Sequence, residues 1–443
     1  MVEQASRPQR LWPGLVLLLS PAALVGGLST SVQAQSCITS TTTSDAVTNN
    51  GCITTIGNAI ESTGPNATIT NTNSGTITTS GQGGSGILAF GDDAAVTNSG
   101  TITTINIQGL GIASGGLNAT ITNSGTITTS GPGGYGILSL GPNATITNSG
   151  TITTINVQGF GIGSGGLNAT ITNSGTITTS GLQGHGIYVE GSLNTSLNAT
   201  ITNSGTITTS GIDAHGIVIA AVGTRISNLG TITTGAGSFG ISVWPGFGSV
   251  VTLTNAQGGN TPLTYSGDLP ATYNVVVRSL TSFGRLAVSS PTGTMTFGVD
   301  AGSTLAVNRY TNVLTGVSAS AITNEETLFS LGGFTWRLSA GSSADSWDLL
   351  VMPGSANTEL GLQSNSSAVH SVLGQRAAAT TFALDYDCSV FDQHGFCVSV
   401  GFRNSQMGSN YSDTGETAGL LTAADRVTPE FRIGGFIDQN LVT

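Results

Sequence analysis

The string Gly-Thr-Ile-Thr-Thr begins at Gly75, Gly100, Gly125, Gly150, Gly175, Gly205 and Gly230. Successive starts are 25 residues apart, with one step of 30 where Gly191 to Leu197 adds a loop. A fixed period of this length leaves few folds open, because each unit must make the same contacts as its neighbours. Every unit holds three short β signals, for example Ala119 to Asn123, Gly125 to Thr129 and Gly136 to Leu140, parted by Asn, Ser, Gly and Pro turns. Three such strands make one triangular rung that pairs in parallel with the next, rising about 4.8 Å per rung. In one rung the inward residues Ile121, Ile127 and Ile137 contribute about 2 kcal/mol each. Ordering each residue of the unit costs about 1–2 kcal/mol, so a lone rung cannot fold and the unit must stack. The fold class expected is therefore all-β: a right-handed parallel β-helix, a solenoid of about eight 25-residue coils over 53–256.

Three columns follow from aligning the units. An Asn closes the first strand at Asn73, Asn98, Asn123, Asn148, Asn173, Asn203, Asn228 and Asn255; stacked amides of this kind can form a structural ladder along the rod. The same turns create Asn-Ala-Thr sequons at Asn66, Asn118, Asn143, Asn168 and Asn198, which are taken as incidental. A second column precedes each Gly-Ile: Ser85, Leu110, Tyr135, Phe160, His185, His215 and Phe239. Alternation puts it on the face of the following Ile. With no Cys, Asp or Glu in that column, stacking with the aromatic rings is expected for the two His, not a metal site. The third pattern points outward. Thr101/Thr103, Thr126/Thr128, Thr151/Thr153 and Thr176/Thr178 form one candidate contact face, and Thr120/Thr122, Thr145/Thr147 and Thr170/Thr172 form another. Such arrays resemble the Thr-x-Thr faces of ice-binding β-helices, while Thr is also the residue that solubilises a strand face without charge.

Charge narrows the partners. All 11 basic residues are Arg against 22 acids, and charged residues make up 7% of the chain, far below the roughly 25% of an average soluble domain. No basic patch is available for nucleic acid. Between residues 53 and 256 the acids are Glu61, Asp92, Asp93, Glu190 and Asp213. Adjacent Asp92 and Asp93 point to opposite faces of a strand or sit in a turn, so no carboxylate pair is set for hydrolysis. No Gly-x-Ser-x-Gly or Gly-Asp-Ser-Gly motif appears, and the repeat lacks the Asp of Ca²⁺-binding β-helices. The chain is expected to be no enzyme and to carry no cofactor and no metal; a β-helix hydrolase is the alternative that the isolated acids leave.

The first 34 residues look like an export signal. Arg7 and Arg10 precede an apolar stretch centred on Leu15 to Leu19, and Val32-Gln33-Ala34 suits cleavage after Ala34. Residues 35–52 then form an N-terminal cap with a small loop closed by Cys37 and Cys52; Cys388 and Cys397 form a second short-range pair, both expected as disulfides in an exported chain. After Asn255 the period is lost. Residues 257–352 stay β-rich and read as the C-terminal cap that an open solenoid end needs. Residues 353–384 read as a linker with a short helix around Leu360 to Ala379. Within 385–443, Gly395 to Asn404 and Thr428 to Leu441 alternate apolar and polar residues like membrane-barrel strands.

Taken in order, with the stretches Tyr310 to Ile322 and Asp385 to Gly401 at the junction, this layout resembles the autotransporters of type V secretion in Gram-negative bacteria. The resemblance implies a repetitive, adhesin-like passenger displayed at the cell surface, a translocator β-barrel in the outer membrane, and dependence on periplasmic chaperones and barrel-assembly machinery. Its ligand would be an extracellular or surface partner that the sequence does not name. A barrel of a dozen strands needs roughly 250 residues, so residues 385–443 are expected to hold only its first strands, as in a fragment or truncated product.

Overall fold

A computed structural model of the chain describes residues 30–32, 41–42, 46–191, 198–354, 366, 369, 373, 390–408 and 413–442. These fall into two compact units, the first made mainly of residues up to 257 with 261–273 and 287–295.

The first unit is a parallel β-solenoid of right-handed type. Each rung contributes one short strand to each of three sheets. In one rung these are Thr120–Asn123, Thr126–Thr129 and Tyr135–Ser139. Rungs stack in register, with one shift between Thr224 and Arg225: Ile121 pairs with Ile146, Ile127 with Ile152 and Ile137 with Ile162. Register is fixed because a one-residue slip would turn every Ile out to solvent, and all six of these Ile are fully buried. The second sheet holds eight strands, from Cys52–Thr55 to Thr231–Thr234.

Two glycine columns permit this close stacking. A Cβ on Gly125 would lie 2.1 Å from the carbonyl oxygen of Gly100, one rung away. A Cβ on Gly136 would lie 2.3 Å from Ile152 Cγ2 inside the rod. The last Thr of each Gly-Thr-Ile-Thr-Thr string also turns inward. Thr79, Thr154 and Thr179 are buried, and their hydroxyls donate to the carbonyls of Gly84, Gly159 and Gly184. The interior is thus not purely aliphatic; buried hydroxyls fill its corners, with a carbonyl partner at these three and none at Thr104 and Thr129.

One expectation needs correction. The solenoid has about eleven turns, not eight. In the first unit Leu263–Asp268 pairs in parallel with Ile241–Val243, and Leu269 donates its N–H to Thr292, both beyond residue 256. Stacking needs only backbone hydrogen bonds and an inward apolar side chain, and these outlast the repeated turn residues. At the other end, Thr30–Val32 pairs in parallel with Val47 to Asn49. Cleavage after Ala34 would remove that strand and leave Ala46–Asn49 first in its sheet.

The second unit contains an antiparallel set. Asn308–Thr315 pairs with Ser346–Pro353, which pairs with Phe334–Ala340, which pairs with Phe329–Leu331. Buried Asp348 holds this set together, accepting from Arg309 Nε at 2.6 Å and from the Asn312 N–H at 2.8 Å. The same unit includes a small three-stranded antiparallel sheet of Phe396–Gly408, Asp413–Arg426 and Arg432–Val442, where the first barrel strands were expected. Nearly all of the linker expected over 353–384 lies outside the described residues. No helix among the described residues is long and apolar enough to cross a membrane.

Candidate contact faces of the solenoid

The first of the two Thr arrays singled out from the sequence forms two unbroken files on the second sheet; the other lies on the first sheet. Thr101, Thr126, Thr151 and Thr176 pair in sequence and are exposed. Thr103, Thr128, Thr153 and Thr178 form the companion file, half-buried between the strands. Neighbours along a file are one strand spacing apart, about 4.8 Å. The result is a flat, uncharged array of methyl and hydroxyl groups with two-dimensional order.

Inside the first sheet runs a buried amide ladder. Asn49, Asn71, Asn98, Asn123, Asn148, Asn173, Asn203 and Asn228 each donate from Nδ2 to Oδ1 of the next, at 2.7–2.9 Å over the first seven steps, and Asn228 reaches Asn255 at 3.2 Å. Asn73 does not belong to it. Asn71 pairs in register with Asn98, while Asn73 is exposed in the corner that follows. That corner carries two extra residues, so the Gly-anchored alignment picked the wrong Asn.

The sequence reading missed a second, outer ladder. Asn168 donates to Asn143, Asn143 to Asn118, and Asn118 to Asp93 Oδ1, at 3.0–3.1 Å. These are the sequon positions, and each Asn has φ between 54° and 57°. Asn tolerates that left-handed conformation because its short amide can bond locally. The recurring Asn before Ala-Thr was the available signal, and its role is the turn. Two further acids are engaged: Asp92 accepts from the Leu117 N–H at 2.8 Å, and Glu61 accepts from Asn58 Nδ2 at 3.1 Å.

Gln257 ends the second sheet. Its amide accepts from the N–H of Ile232 at 2.7 Å and donates to the same residue's carbonyl at 2.9 Å, taking the place of a missing next strand. In the second unit Asn324 does the same to Phe297, at 2.9 and 2.8 Å. Neither residue stands out in the sequence, because neither repeats.

The column before each Gly-Ile lies on the other side of the third sheet from where alternation put it. Tyr135 and Phe160 cluster with Leu88, Leu138, Tyr188 and Val218, and a Cβ on Gly163 would lie 2.4 Å from the Tyr135 ring. The intervening Gly136 faces the interior, which breaks simple alternation. Rings stack along the column: Phe160 on His185 at 5.2 Å, His185 on His215 at 5.4 Å, and His215 on Phe239 at 5.8 Å. Each imidazole accepts a backbone N–H from the next rung at Nδ1, His185 from His215 and His215 from Phe239. Burial, and then the neighbouring His215, holds His185 down to about 3. Burial also lowers His215, against an upward pull from Asp213. Among the described residues no cluster of three or more metal-ligating side chains occurs.

Cys52 and Cys397 are both disulfide-bonded, with no free cysteine among the described residues. Cys37, Cys388 and Ala34 lie outside those residues.

Fold and faces together define a repetitive β-solenoid with ordered Thr arrays on its outside. Residues 24–159, under a third of the chain, match the family of the BigA third pectate lyase-like domain. The match starts inside the expected leader and covers the first rungs. A search of curated proteins gave no match.

Proposed function

We propose that the chain is an exported, surface-displayed autotransporter passenger: a non-enzymatic, adhesive β-helix rod, with the start of an outer-membrane barrel at its C-terminal end. The observation that carries this reading is the C-terminal sheet. Its strands of 13, 14 and 11 residues are long enough to cross a bilayer. Phe396, Val398, Val400 and Phe402 alternate along one of them, all exposed, as lipid-facing barrel residues do. Support for the adhesive role comes from the match to a BigA domain and from the Thr files, whose many weak contacts add by avidity. The hydrogen bonds that Asp92, Asp93 and Glu61 make to backbone and amide groups support a rod without catalysis. The partners would be the outer membrane and an extracellular ligand, with no nucleic acid, no metal and no cofactor.

The test is to express the chain in a Gram-negative host with an epitope tag inserted between Gly191 and Leu197. Antibody access on intact cells supports display; a tag seen only after the envelope is broken rejects it. Mass spectrometry of the exported protein should find Gln35 as the first residue. The ordered Thr files give a second reading, a crystal-surface binder. Purified chain that leaves ice growth shape and freezing point unchanged disposes of it.

A further inference from the structure

On the outer face of the third sheet, three polar groups converge that the fold does not use. Tyr135 and Tyr188 are more than nine-tenths buried, and neither hydroxyl makes a hydrogen bond among the described residues. Glu190, half-buried, likewise has no hydrogen-bond or ionic partner there. Tyr135 and Tyr188 belong to one cluster, and Glu190 follows Tyr188 by two residues on the strand Ile187–Glu190, on the same face; burial first, and then their mutual charge, raises both phenols. Burial also raises the Glu190 carboxyl above its usual range. None of their oxygens is among the fully enclosed polar atoms left without a partner, so each reaches solvent, and polar groups turned to solvent beside an aromatic surface are open to hydrogen bonds from a ligand. Glu190 immediately precedes the single five-residue insertion in the repeat.

Aromatic surface adjoins the cluster. Trp244 lies 6.0 Å from Tyr188, ring to ring, at 59°. It begins a Trp-Pro-Gly-Phe turn in which Phe247 donates its N–H back to Trp244 at 3.1 Å and Gly246 takes a positive φ of 76°. Trp244 is 42% exposed and Phe247 50%. They are the only exposed Trp or Phe among the described residues of the first unit. No Arg occurs in the third-sheet strands from Ile60 to Thr292.

We infer that this face is a saccharide subsite, in which Trp244 stacks on a sugar ring while Glu190, Tyr135 and Tyr188 hydrogen-bond its hydroxyls. The inference rests on the adhesive reading above and names the class of its partner. A flat exposed indole suits the C–H face of a pyranose, and a carboxylate accepts from two adjacent hydroxyls. An unpaired carboxylate with no Arg beside it disfavours uronates and sialic acids, so the ligand is a neutral glycan. A quaternary-ammonium cage would need ring faces turned on a cavity; here Phe160, Tyr188 and His185 spend theirs on one another.

The experiment applies the full chain to immobilised neutral gluco-, manno- and galacto-oligosaccharides, to uronate-bearing and sialylated counterparts, and to a choline-coated surface. The expected result is binding to a neutral glycan that falls about tenfold in Trp244→Ala and several-fold in Glu190→Gln. Trp244→Phe should keep part of it and Thr151→Val all of it. If Trp244→Ala lowers the melting temperature, Glu190→Gln and Trp244→Phe carry the test. Absence of neutral-glycan binding, preference for acidic glycans or choline, or parental binding by both Trp244→Ala and Glu190→Gln overturns the inference. Adhesion of displaying cells that is indifferent to Trp244→Ala sinks the subsite and leaves the adhesive reading. Glycan binding by a chain that never reaches the cell surface does the reverse.

Discussion

At the scale of single residues, the amide side chain does most of what charge does elsewhere. Inner and outer Asn ladders look alike in sequence but sit in different solvents, so their substitutions should differ. Asn148 is fully buried, donating to Asn173 and accepting from Asn123. Asn148→Ala strands a donor and an acceptor in the interior and should cost about 2–4 kcal/mol, read as a lower urea midpoint. Asn143 belongs to the exposed ladder with a positive φ. Asn143→Gly keeps that conformation and gives its neighbours to water, so it should cost about 1 kcal/mol or less. The inner ladder was legible from the recurrence of Asn alone, apart from its first two members, Asn49 and Asn71. Asn71 was hidden because the corner after it is two residues longer, and a period reports spacing, not which side chain points in. The outer ladder was invisible for a different reason: positive φ and a left-handed turn leave no mark beyond Asn itself.

At the scale of the element, the aromatic column and the sheet ends carry the predictions. His185 sits between Phe160 and His215 and accepts a backbone N–H, which only the neutral ring can do. An unfolded His has a pKa of about 6.5, and the folded one is held at about 3. Its contribution to stability is therefore complete above pH 6.5 and is lost as pH falls from there toward 3. The loss for this residue reaches about 2 kcal/mol by pH 5. Thermal melts between pH 7.5 and 5 should show the fall, and His185→Phe, while losing one hydrogen bond, should flatten the slope. At the sheet end, Gln257→Leu removes the group that pairs with Ile232, so hydrogen exchange in Thr231–Thr234 should quicken while Thr126–Thr129 stays protected. The three strands per rung could be read from the sequence, because period-2 alternation and turn residues sit side by side. The side of the sheet taken by Tyr135 could not, since inward-facing Gly136 resets the alternation. The two sheet-end amides, Gln257 and Asn324, could not either, because each acts once and leaves no repeat.

At the scale of the molecule, each rung of the first unit pairs with the rung before it and the rung after it. Such a rod has stability that sums over rungs and interfaces. Deleting 125–149 joins Ser124 to Gly150 and restores the native Ser-Gly junction. The shortened chain should fold with an unchanged β-sheet circular dichroism signature per residue and a melting temperature within a few degrees. Deleting 125–136 instead breaks every column at once and should abolish cooperative melting. The solenoid class was evident from the period alone, whereas its extent was not. Beyond Asn255 the outward and turn residues change while the inward positions, such as fully buried Leu263 and Tyr265, keep their places. Eye and alignment follow the outside of such a rod; its physics follows the inside.

The in-register match of one coil to the next has a genetic consequence. Near-identical units are near-identical stretches of coding sequence, and slipped pairing or unequal exchange between them adds or removes whole coils. Because each coil presents the same edge above and below, such an event lengthens the inner ladder by one Asn and each Thr file by one step. Gln257 still meets the last strand of its sheet. Length is then a trait that can drift by integral steps within a population while the fold, the ends and the frame persist.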